Sequence, residues 1–451
     1  MSNPTMELVT ATNPIPPGIN GLPLTPIERF LLRNDTPAHP MVFRVLLRFD
    51  GPVRSEYLQT AFDLSVARQP MLTSLVQGEE LGAVWNFADR LPELEWQPEG
   101  LAPEEIPHVK VDYCDLRRRP GLRCRIWPIA GGIIILIDIH HACCDGQGAR
   151  QLIAEWFGIY QQLIQGESPR LPTLAYDKLK ARADYRVVNP PIGTFEGLKN
   201  LYLTVRGRTT RLPEKYPDCT EADYLCEHTF SAEETATLRG NLKNAGFTIN
   251  DAGLAASFSA LVECCPSETR KGYITLMHPV DLRWPSDLRT PACNLVGVTF
   301  MRRKQKACLE PNRLIDTLRN EMRYIKKRYV GAEFLRGLAA ADGFPGGPQR
   351  IQSWGWFVPT LQFTCLGDTT RALHYRFNQV DGVINFGGMK LDRISGFMQL
   401  GGYLPISLAA CETNQKLSLT ARISSKHFDR TSANDFLNVF VQKMISFGSL
   451  Q

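Results

Sequence analysis

The sequence predicts an α/β protein built from two cored units, in which sheets are flanked by helices. Three observations carry this. Ile133 to Ile137 is an unbroken β-branched and leucine run with no polar alternation, the pattern of a strand buried on both faces, and an amphipathic helical pattern follows it directly. The 451 residues, 43% hydrophobic, suffice for two cores of ordinary size or one large one. Between Glu167 and about Thr220 the periodicity fades and Pro169, Pro172, Pro190, Pro191 and Pro213 interrupt the chain, which places a crossover there.

Residues 1–23 are rich in Pro, Asn and Thr and are expected to form a flexible arm without a core of its own. Order begins at Thr25-Pro26-Ile27-Glu28, a capping box with proline at the first helical position. A strand follows at Met41 to Phe49, then a helix from Arg54 to Arg68 that places Leu58, Ala61, Phe62 and Val66 on one face. Strands are expected at Leu81 to Phe87 and Leu122 to Pro128, with Ala130-Gly131-Gly132 turning the chain into the Ile133 strand. Gly148 to Gly166 spaces Leu152, Trp156, Phe157, Tyr160 and Leu163 as a helix packed on the sheet. The first unit is therefore 24–175, the crossover 176–220 and the second unit 221–451. The second opens with a strand at Tyr224 to Phe230, a helix capped by Ser231 with Glu234 three residues on, and another helix after Thr248. Further strands are expected at Gly272 to Arg283, Pro359 to Cys365, Leu373 to Asn378, Phe397 to Leu408 and Leu417 to Ile423. Helices are expected from Pro311 and from Ser432 to Ile445, and Gly343 to Pro348 reads as a flexible connection.

The buried strand ends in chemistry: His140-His141-Ala142-Cys143-Cys144-Asp145-Gly146. Four readings compete. The residues could be a strand end with satisfied histidines. They could ligate a metal, but adjacent histidines in an extended chain face opposite ways, and no CxxC or HExxH spacing supports them. A cysteine nucleophile could use a neighbouring imidazole. The favoured reading is a histidine general base, whose proton affinity suits abstraction from an alcohol or amine attacking an activated acyl group. His278, within an apolar strand, reads as a satisfied core histidine.

This stretch matches HHxxxDG and resembles the signature of the condensation-domain and CoA-dependent acyltransferase superfamily, down to its place after a buried strand and before a helix. The opening PLTPIERFLLRNDTPAHPM, then a strand, DGPV and a helix, is similar to the wax-ester-synthase-like and polyketide-associated acyltransferases. The resemblance implies two chloramphenicol-acetyltransferase-like lobes with mixed sheets and an active-site tunnel between them. It also implies that His141 is the catalytic base, that Asp145 holds the site's shape through a salt bridge to an arginine, and that Gly146 gives the turn room. PVDLR at 279–283 and Asn294-Leu295-Val296-Gly297 are similar to a family segment beneath the site, which makes Arg283 the candidate partner of Asp145. With His140 and Asn294 it completes a supporting set. The implied reaction moves an acyl group from a thioester to an alcohol or amine. The alternatives are an amide-forming condensation catalyst on carrier-tethered substrates, or a catalytically silent module that binds carrier proteins or lipids.

The implied co-substrate is acyl-CoA or a phosphopantetheine thioester, with no tightly bound cofactor and no metal. The partners are a small-molecule donor and acceptor, with an acyl or peptidyl carrier protein as candidate. A formal charge of +5 with interspersed signs gives no indication of nucleic acid. Basic clusters at 302–306 and 323–328 could attract cofactor phosphates. Twelve scattered cysteines read as reduced thiols, and no apolar run approaches the ~18 residues of a membrane span, so a cytoplasmic protein is expected.

Overall fold

A computed structural model describes residues 6–8, 15–16, 18–184, 209–284, 287, 289–347, 358–370, 379–380, 383–402 and 404–449. Two large mixed sheets organise it. The first has seven strands in the order Gln379–Val380, Val383–Phe386, Met389–Phe397, Val42–Asp50, Gly132–His140, Leu122–Ile129 and Leu94–Trp96. The second has six: Tyr224–Thr229, Lys416–Ile423, Ile406–Thr413, Leu361–Asp368, Ile274–Asp281 and Val296–Arg303. Within the second sheet Leu361–Asp368 runs parallel to both its neighbours, and the remaining pairs are antiparallel.

The histidine strand is central because both its faces are covered. Ile133, Ile135, Ile137 and Ile139 enter the main core with Phe49, Trp156 and Phe157. Ile134 and Leu136 join Leu46, Ile106 and Trp127 in a smaller core on the other face. That second face also carries Asp138, which accepts from Arg44 Nε at 2.7 Å and Arg125 Nη2 at 2.6 Å. Burial alone would raise the carboxyl pKa, but the two guanidiniums hold it below the usual range. A charge is thus tolerated inside a sheet because it is fully paired.

The helices follow the local signals. Thr25 and Glu28 close their capping box over Pro26–Asn34, and the buried Glu28 carboxylate also accepts from Trp85 Nε1 and Arg182. Boxes at Ser231 and Thr248 start Ala232–Asn244 and Ile249–Cys264. The expected arm is anchored at two places: Met6–Leu8 pairs with Arg170–Pro172, and Leu22–Pro23 pairs with Val84 and Trp85 while Ile19 and Leu22 enter the core.

Three differences from the sequence reading bear on the site. The single strand expected at Phe397 to Leu408 is two, Met389–Phe397 and Ile406–Thr413, which belong to different sheets. Met389–Phe397 pairs with Val42–Asp50, so a segment from the second half of the chain completes the first sheet. Its backbone also meets the second sheet, Ile394 N donating to Thr413 Oγ1 and Thr420 Oγ1 donating to Gly396 O. Gly331–Asp342, for which no element was expected, is a helix. The strand expected at Leu373 to Asn378 lies outside the described residues, as does 185–208 of the crossover.

Candidate active site

The two histidines part where the strand ends. His140 is completely buried: its Nδ1 accepts from Ala142 N at 3.1 Å, which leaves the proton on Nε2, 3.2 Å from Asp35 Oδ2. Gly121 makes this possible, because a Cβ there would stand 2.4 Å from Cys143 Sγ and 3.0 Å from His140 Cβ. His141 turns the other way, into a cavity. Its amide donates to Met41 O at 2.7 Å, and its ring meets the edge of Phe43 with centroids 5.1 Å apart. Asn294, itself buried, donates from Nδ2 to His141 O at 2.8 Å and stands 3.4 Å from Nδ1. Burial lowers the His141 pKa, while the backbone carbonyls of His141 and Cys144 and the Asp145 charge pull it up less strongly, so the ring is neutral at pH 7.

Asp145 is the N-cap of Gly146–Ile164 and has no free lone-pair direction. Its Oδ1 accepts from Gln147 N at 3.0 Å and Gly148 N at 2.9 Å, and its Oδ2 accepts from Leu295 N and Arg283 Nη1, both at 2.8 Å. Burial would raise its pKa, yet Arg283 and these donors hold it below the ordinary carboxylate range. Arg283 also donates to Cys293 O at 2.9 Å and to Asp281 Oδ1 at 3.2 Å, and the same pairing raises its own pKa against burial. The candidate residues His141, Asp145, Gly146, Arg283 and Asn294 are thus brought together from both sheets. His140 stands behind them as a packed support.

Cys143 and Cys144 are completely buried, and burial pushes both thiols well above their usual pKa. Neither presents a thiolate, so the nucleophile reading has no group to use. His278 is buried with Nδ1 2.7 Å from Phe363 O.

The cavity that receives His141 measures about 180 Å³. Its walls come from the helix at Phe30 and Leu31, the strands carrying Met277 and Val298, and the unforeseen helix at Phe334 and Leu338. His141 is the sole titratable side chain among the described residues lining it. A second, much smaller cavity of about 30 Å³ lies beyond Phe43 and Met398, and Met398 lines both. Leu366 lines the second one, and Arg302, Arg303, Lys304 and Lys306 line neither. Phe43, Asp35, Met398 and the Phe334 helix were missed by the sequence reading. Only Asp35 carried a local signal, as a carboxylate just after a helix end.

No protein-family model and no curated protein matches the chain. Solved structures do. The first condensation domain of the calcium-dependent antibiotic synthetase, in complex with a substrate analogue, superposes with a TM-score of 0.70 at 15% identity, covering 94% of this chain and 96% of that one. The trichothecene 15-O-acetyltransferase of Fusarium sporotrichioides gives 0.65 at 13% identity, covering 95% and 94%. Polyketide synthase associated protein 5 of Mycobacterium tuberculosis gives 0.63 at 17% identity, covering 96% and 98%. The chain therefore has the same two-lobed α/β fold as these condensation-domain, acetyltransferase and polyketide-synthase-associated structures. No helix among the described residues is long and apolar enough to cross a membrane.

Proposed function

We propose that the protein is an acyltransferase that moves an acyl group from a thioester of CoA or phosphopantetheine to a hydroxyl or amine acceptor. One observation carries the reading: a neutral imidazole, held by Asn294 and Phe43, is the single titratable side chain among the described residues in the wall of an apolar cavity. An isolated base in a dry cleft removes a proton without a neighbouring charge to compete for it. His141 takes the acceptor's proton as its oxygen or nitrogen attacks the thioester carbonyl. The tetrahedral oxyanion then collapses, the thiolate leaves, and the imidazolium returns the proton. No covalent enzyme intermediate is needed.

In the Asp145–Gly146 turn the Asp145 amide is directed at Cys293 O at 3.4 Å and those of Gln147 and Gly148 serve the Asp145 carboxylate, while Gly146 lines the second cavity and not the one that receives His141, so the turn is not the source of an oxyanion hole. Asp145 and Arg283 touch no reacting atom and act as positioning residues. The apolar walls suit an uncharged aliphatic or aromatic portion of a substrate.

The test is thiol release from a panel of acyl-CoA thioesters, with and without pooled alcohols and amines, by wild type and His141→Ala. Acceptor-dependent release reduced about 10²- to 10⁴-fold in the variant is expected for loss of a general base. With kcat/KM falling as pH drops through the lowered His141 pKa, the assignment is complete. Equal release by both proteins sinks it.

A further inference from the structure

The second cavity contains a cation that the acyl-transfer step does not use. Arg150 lies on the second turn of Gly146–Ile164 and lines this cavity with Phe43, Val45, Leu366, Ile394 and Met398. Its Nη2 donates to the backbone carbonyl of Asp368 at 3.1 Å and its Nη1 to Gln147 Oε1 at 3.2 Å. Nε is sealed from solvent and has no partner among the described residues.

The buried Arg44, Arg68 and Arg182 and the half-buried Arg283 are treated differently. Arg44, Arg68, Arg182 and Arg283 each face a carboxylate, at 2.7, 2.6, 2.8 and 2.8 Å respectively. Arg150, which is half-buried, has no ion pair among the described residues, and only its Nε is sealed from solvent. The nearest opposite charges are committed elsewhere. Asp281 accepts from Arg283 N and Nη1, and Asp368 Oδ1 accepts from Thr370 N and Oγ1. Gly146, the first residue of the 19-residue helix that the Asp145 carboxylate caps, lies in the same wall. Apart from Arg150 and Thr369 the wall is apolar, and the space of about 30 Å³ takes an oxyanion head group whose body extends out of the cavity.

We propose that this cavity is an anion subsite, in which Arg150 pairs with a carboxylate or phosphate oxygen of a substrate. Phe43 joins it to the candidate base, since that ring lines the subsite and packs on His141. The inference rests on the acyl-transfer reading only for calling the ligand a substrate; the binding itself does not depend on catalysis. An oxyanion could come from the carboxylate of an acyl or acceptor molecule, or from the phosphate of a phosphopantetheine arm.

Calorimetric titration of the full chain at low salt separates these sources with two matched pairs, hexanoate against hexanamide and 4′-phosphopantetheine against pantetheine. At least one anion should bind about tenfold more tightly than its neutral partner. The pair that shows the preference identifies the source. The preference should vanish in Arg150→Gln, persist in Arg150→Lys, weaken with added sodium chloride, and survive in His141→Ala. Because the wild-type comparison and its salt dependence need no variant, a misfolded Arg150→Gln does not remove the test. Neither anion preferred at millimolar concentration, or a preference unchanged in folded Arg150→Gln, overturns the proposal. Preference retained in His141→Ala while thiol release is unaffected there would sink the catalytic reading and leave the subsite standing.

Discussion

Replacing Arg283 with methionine isolates the tie that holds the loop after His141. In the native protein the buried Asp145 carboxylate has four donors, three amide N–H groups and one guanidinium N–H. Removing one partner of a buried ion pair costs about 3–5 kcal/mol, and the three surviving amides put Arg283→Met near the lower figure, about 3 kcal/mol. Asp145→Asn should cost a similar amount. Either orientation of the new amide sets its NH₂ against two existing donors, Gln147 and Gly148 on one side or Leu295 and Arg283 on the other. The two costs share one interaction, so Asp145→Asn/Arg283→Met should be less destabilised than their sum by about 2 kcal/mol. Urea unfolding at pH 7 measures all three, with Asp281→Asn as a control expected to lose under about 1 kcal/mol because Asp281 is largely exposed. The pH dependence has a defined sign. Asp145 has a depressed folded pKa, so its contribution is present above about 3.9 and is lost as pH falls through the folded value. The gap between wild type and Arg283→Met should therefore narrow below pH 4. Additive single effects, or a cost below about 1 kcal/mol for Arg283→Met, would refute the view that this pair fixes the loop.

Burial pushes His278 down to about 4, so the unfolded chain takes up its proton between pH 6.5 and 4 while the native protein does not. Relative to His278→Asn, whose amide can still reach Phe363 O, wild type should lose up to about 3 kcal/mol over that window; parallel stability curves would exclude the role. Gly253→Ala places a methyl 2.1 Å from Phe363 Cζ, a ring held between Ile249–Cys264 and the second sheet, and should cost about 1–3 kcal/mol by urea midpoint. A cost near zero would mean that Phe363 is free to move. Cys143 and Cys144 should resist iodoacetamide in the native protein and react on unfolding, and Cys143→Ala/Cys144→Ala should retain thiol release; rapid native labelling of either would contradict their burial.

What the sequence made legible was whatever is encoded locally. The Thr25, Ser231 and Thr248 boxes state their helices within four residues, and the Ile133 run states burial without needing to name what covers it. Arg283 and Asn294 were reachable from the resemblance of their own short segments. The apolar cavity was not, because Phe334 and Leu338 on one helix and Met277 and Val298 on two strands carry ordinary core patterns. Whether an apolar face meets another side chain or an empty volume depends on long-range placement. Met389–Phe397 was missed, and one strand was expected from Phe397 to Leu408 although Gly401, Gly402 and Pro405 interrupt it; which sheet each flanking segment joins is set by long-range pairing.

That change of sheets explains how the site can be both shared and fixed. His141 and Asp145 hang from the end of a strand in the first sheet, while Asn294, Leu295 and Arg283 come from the segment around two strands of the second. Such a divided site would be sensitive to any relative motion of the sheets unless something tied them nearby. Met389–Phe397 is such a tie, hydrogen-bonded along Val42–Asp50 and anchored by Thr413 and Thr420 to the other sheet. Asp145 is a second, because the carboxylate that caps the helix on one side accepts from Leu295 and Arg283 on the other. Opening the cleft at this point would cost a helix cap and a buried ion pair together.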